Sequence, residues 1–477
     1  TRAAPDSFNW YSQGGAMGKK AVVMVIFYNI LQFAAMVVFS PLIAYCLITS
    51  PKRQKTFLKR LGFFTFRGVT NKLFDHEKPI WIHALSLGEV LSIVTMVKQI
   101  REKFPDRKIL FSVSTLAGFE IADKNLDGLV DRIVFFPYDL FFSVKRWIRK
   151  IDPEFVIIVE TDIWPNFLFG MTNEQIPIYL VNARLSDRSF HGYKKVLFFL
   201  KPFLSCFSKI CTQTAMDQER FHLLGIDKAK VVVTGNTKFD QAVACPSTGE
   251  IDALKSSLPI GSHKKVFIAG STHPGEENII LEAFMQMKKD IPDLILIIAP
   301  RHPERSQSVH AMFHAREFAS LMITKLNTLH ADETCDVIVV DTIGLLKKLY
   351  GLCSVAFIGG TFSDTGGHNP LEPATFAKPI LFGPNMKNFA DISNMLIQNN
   401  GARYVSDARD LYRETVRLLK DTAQSREMGT NAFQVLDRQT GAVDRTLKII
   451  SQHIRHLPKT TAPSYLVPEP LPLIAKE

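Results

Sequence analysis

Several charged side chains stand where a short apolar run ends and a helical pattern begins, and these are the places where the chain can do chemistry. In "HALSLGEV" (83–90), Glu89 follows Gly88 just past a strand-like run. A carboxylate there can take a proton as a general base, or be an ordinary solvated glutamate in a first helical turn. "VETDIWPN" (159–166) puts Glu160 at the tip of another apolar run, with Trp164–Pro165 stiffening the turn. "NARLSDRSFHGYKK" (182–195) carries Arg184, Ser186, Arg188, Lys194 and Lys195, a set suited to an acidic ligand. "TGNTKFD" (234–240) adds Lys238, whose simplest role is a surface lysine.

The richest stretch is "FIGGTFSDTGGHNPLEPA" (357–374). Its glycine pairs, Gly366–Gly367 among them, let a ligand approach the backbone closely. His368 leads into Asn369, a strong N-cap, and Pro370 suits a first helical position, so a helix is expected to open on Leu371 and Glu372. Free N–H groups and the dipole at that terminus favour an anion such as phosphate. Glu372 can accept hydrogen bonds from a ribose diol or cap its own helix. "AGSTHPGEE" (269–277) repeats the arrangement: Ser271 or Thr272 can cap ahead of His273, and Glu276 or Glu277 can close a capping box. "APRHPER" (299–305) places Pro300, Arg301 and His302 after another strand, where arginine offers two-pronged donation to phosphate or a base edge. "VDTIGLLKKL" (340–349) presents backbone groups at Ile343, Gly344 and Leu345, or is simply a tight strand-to-helix turn.

The elements that must hold these residues alternate in type. "PIWIHA" (79–84), "KILFSVS" (108–114), "RIVFFP" (132–137), "FVIIVE" (155–160), "IPIYLVNA" (176–183) and "VVVTGN" (231–236) read as buried strands separated by helix-length segments. A second series follows in "KVFIAG" (265–270), "LILIIAP" (293–299), "VIVVD" (337–341), "VAFIGG" (355–360) and "PILFG" (379–383). Near-continuous apolar strands alternating with helices predict parallel sheets covered on both faces. The fold class is therefore α/β, two doubly wound Rossmann-like domains facing a cleft, with ligands at the carboxyl ends of the strands. The expected divisions are a first domain at 51–236, a turn-rich linker and hinge at 237–263, a second domain at 264–404 and C-terminal helices at 405–456. Residues 1–20 read as a disordered leader, in which Met17 can be the start. Residues 457–477, with five prolines, read as a disordered tail.

Residues 21–50 hold thirty positions without a formal charge, enough apolar length for a bilayer helix of about 20 residues. Residues 51–72 then carry seven Lys or Arg and no acid, with Phe57, Phe63, Phe64 and Phe66 interleaved, a collar for acidic lipid headgroups. That asymmetry keeps the remainder cytoplasmic by the positive-inside bias, while Pro41 leaves room for a kink or a one-leaflet anchor. Beside such an anchor, nucleic acid is the poorer partner for the basic stretch. A net charge of +11 suits an anionic partner, and 46% hydrophobic residues suit a folded chain. Six cysteines without a C-x-x-C pair argue against a disulfide scaffold or a structural zinc site. No D-x-D triplet and no G-x-x-x-x-G-K-[ST] loop occurs, which argues against many metal-dependent sugar-nucleotide enzymes and ordinary triphosphatases.

Taken in order, "SLGEV", "VETDIWPN", "NARLSDRS", "GNTKFD", "STHPGEE", "PRHPER" and "GGHNPLEP" resemble the Kdo transferase family, enzymes that add 3-deoxy-D-manno-octulosonic acid (Kdo) to lipid A precursors. The resemblance runs from about Trp81 to Asn388, and the N-terminal anchor with its basic collar is similar too. It implies an inverting GT-B glycosyltransferase of lipopolysaccharide biosynthesis, with CMP-Kdo as donor and lipid A precursor as acceptor. It further implies no required metal or cofactor, no nucleic-acid partner, and attachment to inner-membrane lipids by a single anchor with the catalytic domains cytoplasmic. Glu89 matches the family's general base, and Glu160 and Lys238 match positions that stabilise the transition state. CMP is expected at Ser271, Thr272, His273, Pro300, Arg301, His302, Ile343–Gly344–Leu345 and Gly366 through Glu372. The acceptor is expected at Arg184, Ser186 and Arg188. The loop "TFSDT" is this chain's own, and Asp162 stands where a glutamate is common. A GT-B enzyme using a UDP-sugar, or a non-catalytic scaffold of the same fold, stays open beside this reading.

Overall fold

The structure is a computed structural model that describes residues 19–62, 74, 77–243, 247–261, 264–328 and 335–454. The leader up to residue 18, the collar residues Phe63, Phe64, Phe66, Arg67 and Lys72, and the tail 457–477 lie outside the described residues. The chain divides into two compact units, Thr1–Gln241 with Gly441–Glu477, and Ala242–Thr440.

The apolar run is broken into helices α1 (Lys19–Val38) and α2 (Ser40–Thr49), with Pro41 in the first turn of α2, and helix α3 (Pro51–Arg60) follows. Proline has no N–H to give, so it sits easily in a first turn and not within a continuous span. Among the described residues one helix is long and apolar enough to cross a membrane, over Ala21–Val38 with mean hydropathy 2.2. One stripe of α1 is nevertheless docked on protein. Val25 is part of the first unit's core, and Tyr28, Asn29 and Gln32 one and two turns on reach polar groups of that unit. Phe27, Ile30, Phe33 and Val37 face outward.

The first unit is a seven-stranded parallel sheet: β1 (Ile80–Ala84), β2 (Ile109–Val113), β3 (Arg132–Phe135), β4 (Phe155–Val159), β5 (Ile178–Ala183), β6 (Lys209–Thr212) and β7 (Val231–Val233). Its order is β3-β2-β1-β4-β5-β6-β7, the doubly wound arrangement that reverses direction beside β1. Alternation sends Trp81, Leu110 and Val156 into one core and Ile80, Ile82 and Ile157 into the other. Each large side chain so buried contributes about 1.5–3 kcal/mol. Helix α4 (Leu87–Lys103) and the terminal helix Ala442–Ile454 cover the second face.

The second unit repeats the plan with β8 (Val266–Thr272), β9 (Ile295–Pro300), β10 (Ser320–Met322), β11 (Val337–Val339), β12 (Val355–Ile358), β13 (Ile380–Phe382) and β14 (Ala402–Tyr404). The order β10-β11-β9-β8-β12-β13-β14 is again all parallel. Both units are thus Rossmann-like, as in GT-B proteins.

Within 237–263 the described residues include the helices Thr237–Val243 and Thr248–Ser257, the latter opened by a full capping box of Ser247 and Glu250. The helices of 405–456 are shared between the units. Ala408–Lys420 packs into the second unit's core, whereas Ala442–Ile454 joins the first, held by Asp240, which accepts the N–H groups of Gly441 and Val443.

Candidate active site

In the first unit the site residues gather at the carboxyl ends of β1, β4 and β5. Glu89 occupies the first turn of α4 and is only 8% exposed, so it is not the solvated glutamate that its position also allowed. Its Oε2 accepts the Leu85 N–H at 2.6 Å and its Oε1 accepts the Ser86 hydroxyl at 3.0 Å. Burial, reinforced by the negative charges of Glu160 and Asp162, pushes its pKa up to about 7, against the opposing hydrogen bonds. A carboxyl poised there suits proton abstraction near neutral pH, because it is substantially ionised yet still a competent base. A Cβ added at Gly88 beside it would meet open space.

Glu160 closes β4 in the left-handed region, with φ of 59°, which costs a non-glycine residue about 1–2 kcal/mol. The turn is held by its own backbone, since Glu160 N–H donates to Val181 O at 2.9 Å. Thr161 ties the same turn to the next strand end by donating to Arg184 O at 2.5 Å. Two residues on, burial raises Asp162 to about 6. Its Oδ2 lies 3.8 Å from Nε2 of His83, which is wholly buried and pulled down to about 3, again chiefly by burial. His83 is therefore neutral. Its Nδ1 lies 3.0 Å from Ser112 O, which puts the ring proton there and leaves Nε2 unprotonated toward Asp162.

Asn182 also has positive φ, 53°, and organises the turn that carries Lys238. Its Oδ1 accepts Thr237 N–H at 3.1 Å, while Asn236 takes up Gln213, which returns to Asn182 O. Lys238 lies half-buried at the head of the helix so oriented. Ser186 caps the helix Asp187–Lys195 by accepting Ser189 N–H, and Arg184 and Arg188 are exposed around it.

The second unit gathers its residues at the ends of β8, β9, β11 and β12. Glu276 and Glu277 do not close a capping box; Gly275 is the N-cap of Glu276–Asp290. Instead Glu276 Oε2 accepts the N–H groups of His273 (2.8 Å) and Gly360 (2.6 Å), and Oε1 accepts those of Thr361 (2.8 Å) and Phe362 (2.9 Å). One buried carboxylate thereby fixes two loops. Glu277 accepts Thr272 Oγ1 at 2.9 Å and a two-pronged Arg305, so Thr272 is held from behind. Ser271 takes φ of 56°, and a Cβ at Gly359 would come 2.5 Å from Ser271 O, so only glycine fits there.

His273 and His368 meet Nε2 to Nε2 at 2.8 Å with rings stacked at 5.1 Å, and His302 stands edge-on to His273 at 6.0 Å. Burial, with Arg301 and the other histidines adding, lowers His368 to about 4. The pair is neutral at pH 7, and Arg301 supplies the positive charge. Past β9, Arg301 N–H continues the ladder to Thr272 O while its side chain is exposed. Ile343 is 75% exposed in the turn after β11, with Gly344 at φ of 98°.

The expected anion-binding helix is corrected. Leu371–Ala374 is a single turn of four residues, with Pro370 as N-cap and Asn369 Oδ1 taking Leu371 N–H at 3.1 Å. Too short for a useful macrodipole, it leaves Arg301 and the backbone at Gly366 (φ 91°) as the groups suited to phosphate, since the Gly367 N–H already donates to Gly360 O at 2.8 Å. Asn369 does the capping, which frees Glu372; burial raises its pKa while Lys347 and Arg301 oppose. The "TFSDT" loop is pinned by Asn385 and Asn388, which donate to Ser363 O (2.7 Å) and Thr365 O (2.9 Å).

The residues that shape these strand ends and loops and that sequence reasoning passed over are His83, Asn182, Asn385 and Asn388. For His83 and Asn182 the signal was a polar side chain inside an otherwise apolar strand.

Comparison with known proteins bears on both units. The family described as 3-Deoxy-D-manno-octulosonic-acid transferase (kdotransferase) matches residues 55–241. A 3-deoxy-D-manno-octulosonic acid transferase of Haemophilus influenzae is 32% identical over 85% of this chain and 93% of its own length. One of Rickettsia bellii is 31% identical over 79% and 88%. The UDP-GlcNAc 2-epimerase of Neisseria meningitidis, solved with UDP-GlcNAc, matches at TM-score 0.53 and 14% identity over 79% of this chain and 100% of that one, a likeness of fold alone.

Proposed function

The chain belongs to the 3-deoxy-D-manno-octulosonic acid (Kdo) transferase family of GT-B glycosyltransferases, and from that premise we propose that it moves Kdo from CMP-Kdo to a lipid A precursor at the cytoplasmic face of the inner membrane. The observation that carries the proposal is Glu89, a buried carboxyl with a pKa of about 7 at a strand end. It takes the proton of an acceptor hydroxyl as that oxygen attacks the anomeric carbon of Kdo. The bond from that carbon to the phosphate oxygen breaks, CMP leaves with the electron pair, and the new bond forms with inversion.

Loss of the leaving group builds positive charge at a carbon beside Kdo's own carboxylate. Glu160, on a turn fixed by its backbone bond to Val181, stabilises that charge without the turn reorganising. Lys238 matches, with Glu160, a position that stabilises the transition state, and Arg301 suits the negative charge of a phosphate. Ser271, Thr272, His273, Pro300, His302 and the turns at Ile343–Gly344–Leu345 and Gly366–Glu372 hold CMP. Arg184, Ser186 and Arg188 receive the phosphorylated acceptor. A general base contributes about 10²–10⁴-fold, so positioning supplies the rest.

The test is incubation of detergent-solubilised protein with CMP-Kdo and tetraacyl lipid A precursor, read by mass spectrometry. Kdo-sized increments that vanish in Glu89→Gln are the expected result. CMP release without a lipid shift would overturn the acceptor, and silence on both from folded protein would overturn the reaction. Calorimetry with CMP and UDP separates this donor from the UDP-sugars used on the same fold.

A further inference from the structure

A cavity of about 910 Å³ lies within the first unit, between the N-terminal helices and the sheet. Ligand sites span roughly 300–1,000 Å³, so this one is large. One wall is α2, through Leu42, Ile43 and Leu47; the opposite wall is Phe135, Leu140 and Phe142. Leu42 is 57% exposed and Phe142 49%, although both turn toward this space. Such apolar surface is poorly matched to water.

Arg60 and Ser114 are among the cavity's polar lining residues. Arg60, at the end of α3, lines it with its guanidinium 4.2 Å over the Tyr138 ring and its Nε donating to Phe136 O. Ser114 also lines it, and its Oγ is buried with no hydrogen-bond partner among the described residues. Ser114 N–H donates to Leu85 O at 3.3 Å, and Leu85 N–H donates to Glu89. One residue therefore separates the lining of the cavity from the base.

We propose that this cavity takes an acyl chain of the lipid acceptor, entering past α2, with the Ser114 hydroxyl meeting the ester or amide oxygen at the chain's head and Arg60 facing the acidic headgroup. The inference rests on the acceptor named above and adds a role for the anchor: its helices are a wall of the substrate site as well as a tether. Each buried methylene is worth about four-fold in affinity, so a chain seated here fixes the sugar hydroxyl beside Glu89 and identifies an acylated substrate. Asp139, the acid in the lining, is raised to about 7 by burial, and its carboxylate is already engaged by the Tyr28 hydroxyl and the N–H groups of Asn166 and Phe167.

Two measurements test it on the full chain in detergent. Leu42→Trp, which fills the space from an exposed position, is expected to raise KM for the tetraacyl acceptor at least ten-fold while KM for CMP-Kdo holds; equal change in both, or in neither, overturns the proposal. Independently, a tetraacyl acceptor with a diazirine in mid-chain is irradiated with unaltered protein and the labelled peptides mapped. Labelling within 42–47 and 135–142, competed by unlabelled acceptor and not by phosphatidylglycerol, supports it. Labelling confined to the outward face of α1, or competed equally by phosphatidylglycerol, means bulk lipid and overturns it. Should the protein transfer no sugar to any acceptor, the reaction falls, and the crosslinks still decide the cavity.

Discussion

Glu276 Oε2 accepts the backbone N–H of Gly360 at 2.6 Å across 84 positions of sequence, and the same carboxylate holds three more N–H groups. Hydrogen bonds to a charged acceptor contribute about 1.5–3 kcal/mol each, though members of one network do not add. Glu276→Ala is expected to destabilise the protein by about 3 kcal/mol or more, seen as a lower urea midpoint. Glu276→Gln, which keeps one acceptor oxygen, should fall between and still raise the KM for CMP-Kdo. A Gln variant as stable as wild type with unaltered donor KM would show that the two loops do not need this tie.

Glu89 fixes the expected pH dependence. A base with a pKa of about 7 is protonated and inactive below that value, so kcat/KM should rise about ten-fold per pH unit up to 7 and then level. The Glu160 charge is one cause of the raised value, so Glu160→Gln should move the limb to lower pH while lowering the plateau. Glu89→Gln should lose about 10²–10⁴-fold and the limb itself. A limb that stays put in Glu160→Gln would mean another group titrates.

Gly88 offers a cleaner probe of where the acceptor approaches. It lies in the first turn of α4, where alanine is favoured over glycine by about 0.5–1 kcal/mol, and the added methyl meets no protein atom. Gly88→Ala should therefore raise the melting temperature slightly. If a hydroxyl comes to Glu89 past this point, the same methyl should cut kcat/KM for acceptor about ten-fold and leave the donor KM alone. Unchanged kinetics in the stabilised protein would send the acceptor to another side of Glu89.

Much of this architecture is legible from local pattern because parallel strands buried on both faces are nearly unbroken Val, Ile and Phe. The strands that escape are β6 ("KICT"), β10 ("SLM") and β14 ("ARY"), of four or three residues, two of them at sheet edges where one flank needs no partner. In 237–263, Pro246 and Gly249 suggested turns, while Ser247 and Glu250 spelled the capping box that actually forms. At the site, residue types at strand ends mark Glu89, Glu160 and Arg301. What they cannot mark is long-range assembly: the positive φ of Glu160 and Asn182, the approach of His83 to Asp162, or Glu276 reaching Gly360. Those depend on which loops the sheet order brings together.

The docking of α1 makes a last prediction that composition alone would reverse. In a helix bathed in lipid, replacing an asparagine by leucine should improve insertion. Here Asn29 and Asn166 exchange hydrogen bonds, Nδ2 to Oδ1 at 2.7 Å one way and 3.1 Å the other, and Asn166 is buried. Asn29→Leu leaves the Asn166 amide short of partners, an omission that costs about 1–3 kcal/mol. Thermal melting of the detergent-solubilised protein should fall accordingly, and α1 should become open to limited proteolysis. The double variant Asn29→Leu/Asn166→Leu should recover part of the loss, since the amide left short of a partner is then gone, although Asp139 O still loses its Asn166 donor. On the outward face, Phe33→Leu should do almost nothing. If Asn29→Leu melts like wild type, α1 is not held on the sheet, and the cavity that it helps to wall would lose its rigid side.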